Sequence, residues 1–585
     1  MLTGLRPDVL PRSPDIMNRA KLAVDLTESG FHSRFLRRIQ WEWQMRWKKA
    51  GQLLLHSPFH PLYLRLPGRG SEPAASIDYR QWVAREDSFQ PRDWAAETAR
   101  WRVRPTISIL TPTHHPQREW LECAIESVKK QCYPHWELCV YDDGSQDPWL
   151  RDYLQSQAAA DPRIRVAFGS SRAGISAALN HAGTMATSEW VAFLDHDDVL
   201  HPCALQYVAE ACQEEDVDVL YSDEDHLDPS GARVAPSFKP DWSPDLLDSC
   251  MYIGHLFVAR RKRIDDAGWF RSEYDGAQDY DLALRVTEKA RKIHHIPRVL
   301  YHWRPHSDSA AMNLAAKPYA HEAGRRALTN ALARRNVQGT VADGLLPRTY
   351  CIHRAASSPR VSLIVRSHDA RRSARLAEAR RRTAYRDVEW IVGREASAAT
   401  SEFLVFLDDS LTPVNPAWLQ VMVEHLQRPE VGVVGGRLLD PSGALWDAGA
   451  AFGLLDGVGH PGRGSFEAGL MYYLSLPRNV SAVTAACLGI RRSVFHDLGG
   501  FDPAFARHYY DLDLCLKARE HGLRVIVDPR VELTTRAYES RTGGASASTD
   551  WQILLQRWSA VLAQPDPYYP RVFDRRTEEI RLFLD

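Results

Sequence analysis

Between residues 106 and 221, five β-rich apolar runs alternate with stretches of helical periodicity, and three of the runs end in acidic clusters. The runs are Thr106–Leu110, Glu137–Tyr141, Ile164–Phe168, Trp190–Leu194 and Val217–Tyr221; Arg118–Gln131 and Gly174–Ala186 have helical spacing. Strands alternating with helices predict a sheet built from βαβ units. Ligands of such sheets sit at the carboxyl ends of the strands. Asp142-Asp143-Gly144-Ser145, Asp195-His196-Asp197-Asp198 and Ser222-Asp223-Glu224-Asp225 follow three of these strands, so their carboxylates are expected to converge on one crevice.

The pattern occurs twice. Asp228-Pro-Ser-Gly231 recurs as Asp440-Pro-Ser-Gly443, Ala267-Gly-Trp-Phe270 as Gly499-Gly-Phe-Asp502, Asp279-Tyr-Asp-Leu-Ala-Leu-Arg285 as Asp511-Leu-Asp-Leu-Cys-Leu-Lys517, and Pro297-Arg-Val299 as Pro529-Arg-Val531. Four matches in one order imply a duplicated domain. The copies are unequal. The stretch from Val361 to Asp408 is much shorter than that from Ile107 to Asp195, and Gly393 stands where the first copy has its Asp142-Asp143 pair. The expected division is a helical N-terminal segment and linker (1–102), a first α/β domain (103–335), a linker (336–358), a second, truncated copy (359–545) and a helical tail (546–585).

Composition narrows the function. The chain has 585 residues, more than one domain ordinarily holds. Its 73 Lys+Arg balance 74 Asp+Glu, so no nucleic-acid partner is expected. No run is long and apolar enough for a membrane span, and Met1–Pro14 lacks the apolar stretch of a signal peptide. Nine cysteines without a CxxC pair read as reduced thiols, so a cytoplasmic location is expected. Residues 32–55 mix Phe35, Trp41, Trp43 and Trp47 with Arg37, Arg38, Arg46 and Lys48 at helical spacing. Such a helix either packs on the main body or lies on an anionic membrane surface, which leaves peripheral contact with the inner face of the plasma membrane open.

Chemistry concentrates in the first copy. Two carboxylates one residue apart, Asp195 and Asp197, suit a hard divalent cation, Mg²⁺ or Mn²⁺, that also takes phosphate. Asp142 or Asp143 suits a base N–H or ribose hydroxyls. Gly174, in the Arg172–Asn180 stretch, opens a helix whose N–H groups suit phosphate. Asp279 opens an amphipathic helix, a position for a general base, and His302 follows a strand as a candidate third metal ligand.

These residues resemble the family 2 inverting glycosyltransferases of GT-A fold. The likeness rests on Ile107-Ser-Ile-Leu-Thr-Pro-Thr113, Asp142-Asp-Gly-Ser145, Phe193-Leu-Asp-His-Asp-Asp198, Gln278-Asp-Tyr-Asp281 and Tyr301-His-Trp-Arg304, and covers most of 104–310. Phe238-Lys-Pro-Asp-Trp-Ser-Pro-Asp245 with Tyr252-Ile-Gly-His255 resembles long bacterial enzymes with two such domains, of the O-antigen and rhamnan type. The resemblance implies a GT-A mixed sheet with flanking helices and a nucleotide-sugar donor (UDP-, dTDP- or GDP-linked). It implies a glycan or lipid-linked glycan acceptor. Thr111, Asp142, Asp143, Gly174, Asn180 and Asp195 would lie at the nucleotide, Asp195, Asp197 and His302 at the metal or diphosphate, and Trp242 and His255 at the acceptor. Asp279 would be the base of a single inverting displacement.

The second copy keeps Asp408-Asp409 and Asp511 but has Thr534 opposite His302. It is expected to keep the fold's acceptor side without holding a nucleotide sugar, and to bind glycan or scaffold the first domain. Two other readings are a two-site polymerase, disfavoured by that truncation, and a non-catalytic glycan-binding scaffold, disfavoured by the intact first set of acids. A nucleotidyltransferase is disfavoured because Ile109-Leu-Thr-Pro-Thr-His-His115 has neither a Gly-rich loop nor a Lys.

Overall fold

The apolar runs of the first copy become the strands of one mixed sheet. The computed structural model describes residues 74–87, 93–305, 318–366, 372–393, 396–466, 469–535 and 549–584; the basic aromatic stretch 32–55 lies outside them. The strands are β1 (Ile107–Thr113), β2 (Trp136–Asp142), β3 (Ile164–Phe168), β4 (Trp190–Phe193), β5 (Val199–Leu200), β6 (Val217–Leu227), β7 (Arg233–Ser237), β8 (Phe257–Arg260) and β9 (Lys292–Trp303). Their order is β3-β2-β1-β4-β8-β6-β9-β5, with β7 beside β6. β1 pairs in parallel with β2 and β4, whereas β8 runs antiparallel between β4 and β6. All seven residues of β1 are buried, because helices cover both faces, so its sequence reads as a continuous run and not an alternation.

The second copy repeats the main path of this sheet without a counterpart of β3. After the hairpin β10 (Gly339–Asp343) and β11 (Tyr350–Arg354) come β12 (Val361–Arg366), β13 (Val388–Val392), β14 (Phe403–Asp408), β15 (Leu411–Pro413) and β16 (Val431–Leu439). Then follow β17 (Leu445–Asp447), the small pair β18 (Ala451–Leu454) and β19 (Gly457–Gly459), β20 (Arg478–Asn479), β21 (Cys487–Arg491) and β22 (Arg524–Thr535). The order β13-β12-β14-β21-β16-β22-β15 matches β2-β1-β4-β8-β6-β9-β5, so the counterpart of β3 is the missing strand. Two helices, Pro148–Ala160 and Ile175–Met185, lie between β2 and β4; the described residues between β13 and β14 hold only the single turn Ala396–Ala398. The truncation read from the sequence is therefore the loss of one edge strand with its helices.

Residues 336–358, expected to be a linker, instead form a structured wedge. Tyr350 N–H donates to Ser249 O of the first domain (2.7 Å), while Arg354 N–H donates to Glu424 of the second (3.3 Å). The tail also differs from a simple appendage. Its helix, Thr549–Leu562, falls where the sequence places it, but the following turn reaches the first domain: Pro567 O accepts from Asp241 N–H (2.7 Å), and Phe573 packs edge-on to Phe238. One buried apolar cluster accordingly contains residues of both copies, while a separate cluster lies in each domain.

The domains also share a buried ionic network. Asp245, 2% exposed, accepts from Arg428 Nη1 (2.5 Å) and Asn479 Nδ2 (2.9 Å), with Arg524 at 3.7 Å. Asn479 Oδ1 accepts from Ser243 Oγ (3.0 Å) and Asp245 N–H (3.2 Å). Burial favours the neutral acid, but Arg428 and Arg524 outweigh it and hold the carboxyl well below its usual range. Breaking such a pair leaves a buried charge, so Arg428→Ala is expected to lower stability by about 3–5 kcal/mol in urea unfolding. Because the folded-state value is depressed, this contribution is present above the ordinary Asp value of about 3.9 and lost as pH falls from there through the folded value. Wild type is therefore expected to lose part of its margin over Arg428→Ala on acidification through that window.

Candidate active site

The end of β4 brings three carboxylates together. Asp195, Asp197 and Asp198 each present an oxygen within 4.8 Å of the others. Asp198 is fully buried and used on both sides: Tyr301 Oη donates to Oδ2 (2.6 Å) and Arg304 N–H to Oδ1 (2.7 Å). The same Tyr301 oxygen accepts from Asp195 N–H (3.2 Å), so β9 shapes the turn that Asp195 and Asp197 occupy. Burial, reinforced by Asp197 and Asp195, pushes the Asp198 carboxyl well up. Burial also raises Asp195, against the pull of His255. A crowded set of oxygen donors whose charged forms repel one another fits a hard divalent cation, with Asp195 and Asp197 the residues that would hold it and Asp198 orienting the turn.

Asp279 faces the same crevice from the start of the helix Gln278–Thr287, where its Oδ1 accepts from Tyr280 N–H (2.8 Å). Burial raises its carboxyl; His255, the Tyr280 and Asp279 N–H groups and Arg348 oppose that. His255 exerts its field on both Asp195 and Asp279, and so links the two halves of the crevice. Its ring stacks on Tyr301 (4.5 Å between centroids, 17°) and meets Trp303 edge-on. Its N–H donates to Glu224 Oε2 (2.6 Å). Beneath this loop lies Lys239, 2% exposed, whose Nζ donates to Ser222 O, Ile253 O and His255 O (2.6, 2.8 and 2.7 Å) and stands 3.4 Å from Glu224. Lys239 was visible in the Phe238–Asp245 motif, but a lysine in a loop gives no sign that three carbonyls will enclose it.

The nucleotide side is more structural than the sequence suggests. Asp142 accepts from Ser145 Oγ and N–H, and Asp143 accepts from Ala173 and Gly174 N–H (both 2.8 Å). The pair thus shapes the β2 turn and fixes the loop that leads to Gly174. Gly174 has φ +99°, and a Cβ there would stand 2.8 Å from Asp275 Oδ2. Asn180 has a structural role in this arrangement. Its amide is taken up by the backbone of Phe270, donating to O and accepting from N–H (both 3.0 Å), so it clamps a helix to a loop. Thr111 and Thr113 have buried hydroxyls that find no partner among the described residues.

His302 has one ring nitrogen held by a buried acid, which leaves Nε2 as the atom that would meet a metal or diphosphate. Its Nδ1 lies 2.6 Å from Asp225 Oδ1, and the residue stands outside the carboxylate group of β4. Asp225 in turn accepts from Tyr79 Oη (2.6 Å) and Arg233 Nε (2.6 Å), so His302 joins a buried network that docks the helix Ala74–Asp87. A histidine after a strand looks the same in sequence whether it faces the crevice or a buried acid. Trp242 is half-buried and packs into the apolar cluster shared with the second domain.

The second copy lacks this assembly. Strand register places Ala486 at the position of His255, and Leu439 and Thr534 at those of Asp225 and His302. Asp511, the counterpart of Asp279, accepts from Ala485 N–H (2.8 Å) and Leu512 N–H (3.1 Å).

With this geometry in hand, comparison with known proteins defines the class. Residues 108–262 match the family model described as Glycosyl transferase family 2. The match spans β1 to β8 and so falls on the first mixed sheet described above. It is 37% identical over 489 residues to the uncharacterized protein y4gI of Sinorhizobium fredii, covering 75% of this chain and 54% of that protein. It is 34% identical over 545 residues to the O-antigen biosynthesis protein RfbC of Myxococcus xanthus, covering 85% and 42%. The chain therefore spans about half the length of the curated relatives it matches. Residues 1–349 of S. aureus TarS, solved in complex with UDP-GlcNAc, align with 19% identity and a TM-score of 0.33, over 39% of this chain and 66% of that one. Among the described residues no helix is long and apolar enough to cross a membrane.

Asn180 ties a helix to the Phe270 loop through two hydrogen bonds. Asn180→Ala removes two hydrogen bonds to Phe270 and is expected to cost about 1–3 kcal/mol in thermal or urea unfolding. Its affinity for UDP, GDP or dTDP, measured by calorimetry on the folded variant, is expected to equal that of wild type.

Proposed function

We propose that the first domain transfers a sugar from a nucleotide-sugar donor to a hydroxyl of a growing cell-surface glycan of the O-antigen, rhamnan or capsule type, with inversion at the anomeric carbon. The observation that carries this reading is the meeting of Asp195 and Asp197 with Asp279 in one crevice, bridged by His255. A divalent cation held by Asp195 and Asp197 would neutralise the departing diphosphate. The unpartnered hydroxyls of Thr111 and Thr113 and the turn of Asp142 and Asp143 mark the nucleoside end. Asp279 takes the proton from the acceptor hydroxyl as that oxygen attacks in line. Its half-buried carboxylate has one oxygen fixed by Tyr280 N–H, which orients it without a second acid. Nothing in this scheme needs a carboxylate nucleophile.

The second domain acts here as a buttress. It lacks the β3 edge and the His255 equivalent, yet it supplies Arg428, Asn479 and Arg524 to the segment that carries Trp242. The acceptor wall of the first domain is thereby braced from outside.

Donor hydrolysis, with water in place of the acceptor, tests this on the full chain. Asp279→Asn is expected to slow it by about 10²–10⁴-fold while nucleotide affinity stays unchanged; Asp511→Asn is expected to leave both intact. A wild-type rate in Asp279→Asn, or loss of activity in Asp511→Asn with the fold retained, would contradict the assignment.

A further inference from the structure

The hairpin wedge carries a cation that the mechanism does not use. Arg348 lies in the turn between β10 and β11, with φ +58°. One hydrogen bond closes that turn and two contacts of Tyr350 fix it against the first domain. Gly344 N–H donates to Thr349 O (2.8 Å), closing the loop. Tyr350 N–H donates to Ser249 O (2.7 Å). The Tyr350 ring stacks between His321 and Tyr280, with centroids at 4.9 and 5.8 Å. Tyr280 is the chain neighbour of Asp279, so the hairpin packs on the helix start that carries Asp279.

Arg348 is half-buried in this position. Neighbouring arginines of the same wedge are all matched: Arg325 with Asp343, Arg335 with Asp248 and Glu288, and Arg354 with Asp248. Among the described residues, no carboxylate stands within 4.0 Å of the Arg348 guanidinium and no group hydrogen-bonds to it. Burial pushes it down, opposed by Tyr350 and by Asp279. A guanidinium is a planar fork of five donors suited to carboxylate and phosphate, and leaving it partly desolvated and unmatched costs stability. The hairpin rests on the 249 loop and on Tyr280, the half of the crevice with His255, and not on the strand-end turns of β1 and β2.

We propose that Arg348 is an anion-recognition residue of the acceptor site, binding a carboxylate or phosphate carried by the acceptor glycan beside the hydroxyl that Asp279 deprotonates. This rests on the proposed transferase reading for the identity of the acceptor side. It gives the hairpin a purpose: the second domain, through Glu424 and through Arg530 Nη1 on Ile352 O (3.4 Å), holds a specificity element at the mouth of the first domain's site.

The test uses the full chain with Mn²⁺ and three probes: p-nitrophenyl β-glucuronide, p-nitrophenyl β-glucoside 6-phosphate and the neutral p-nitrophenyl β-glucoside. Wild type is expected to bind at least one charged probe about ten- to a hundredfold more tightly than the neutral one. Which probe gains tells carboxylate from phosphate. Arg348→Gln is expected to abolish that preference, Arg348→Lys to retain part of it, and UDP, GDP and dTDP affinities to stay unchanged in both. Equal affinities for charged and neutral probes in wild type would overturn the proposal. So would a preference that survives in Arg348→Gln, or loss of nucleotide affinity in that variant, which would place Arg348 on the donor diphosphate. Failure of every nucleotide to bind wild type would instead strike the transferase reading, and the charged-probe preference would still be read independently.

Discussion

Three carboxylates within 4.8 Å of one another at the end of β4 repel each other, and much of the surrounding structure is arranged around that repulsion. Tyr301 and Arg304 from β9 absorb Asp198. His255 opposes the charge of Asp195 and of Asp279 from the other side. His255 is in turn positioned by Glu224 and by the buried Lys239, which closes on the carbonyls of residues 222, 253 and 255. A buried ammonium is tolerable only when each proton has an acceptor and a countercharge is near, and Lys239 has both. The same loop continues through Trp242 to Ser243 and Asp245, where the second domain begins to contribute. Carboxylate cluster, histidine, lysine and interdomain ion pair thus form one continuous polar framework.

That framework extends into the second copy, which lacks a counterpart of β3. The second copy has lost its edge strand and the helices beside it, so the crevice at β14 lacks the wall that β3 gives the first. It has kept the interior of its sheet, and with it a rigid surface against Asp245, the hairpin and the tail. Arg428 on Asp245, Glu424 on Arg354 and Arg530 on Ile352 all come from this surface. Absence of the edge leaves the core pairing of β12, β14, β21, β16 and β22 intact, and the packing surface with it.

Local chemistry made part of this legible in the sequence. Strand positions, the acid-bearing strand ends and the duplication follow from periodicity and repeated motifs, because burial on both faces imposes apolar runs and strand ends repeat with them. Side-chain partners did not follow. Asn180 and His302 have the residue types of a binding site, and the sequence does not show that the Phe270 backbone holds the one and Asp225 the Nδ1 of the other. Lys239 and Arg348 were missed for the converse reason: their roles come from contacts between segments that sequence spacing does not bring together. The stretch 336–358 looked like a linker because a hairpin of five-residue strands with an irregular turn has little periodicity to show.

The central claim is that one of two homologous domains holds the working site, and the stoichiometry of bound Mn²⁺ tests it most directly. Electron paramagnetic resonance titration of the full chain, with UDP present, is expected to give one tightly bound ion per chain. That ion is expected to vanish in Asp197→Ala and persist in Asp408→Ala. Two equivalent ions, or one that is lost with Asp408 and kept without Asp197, would contradict the division of labour between the domains.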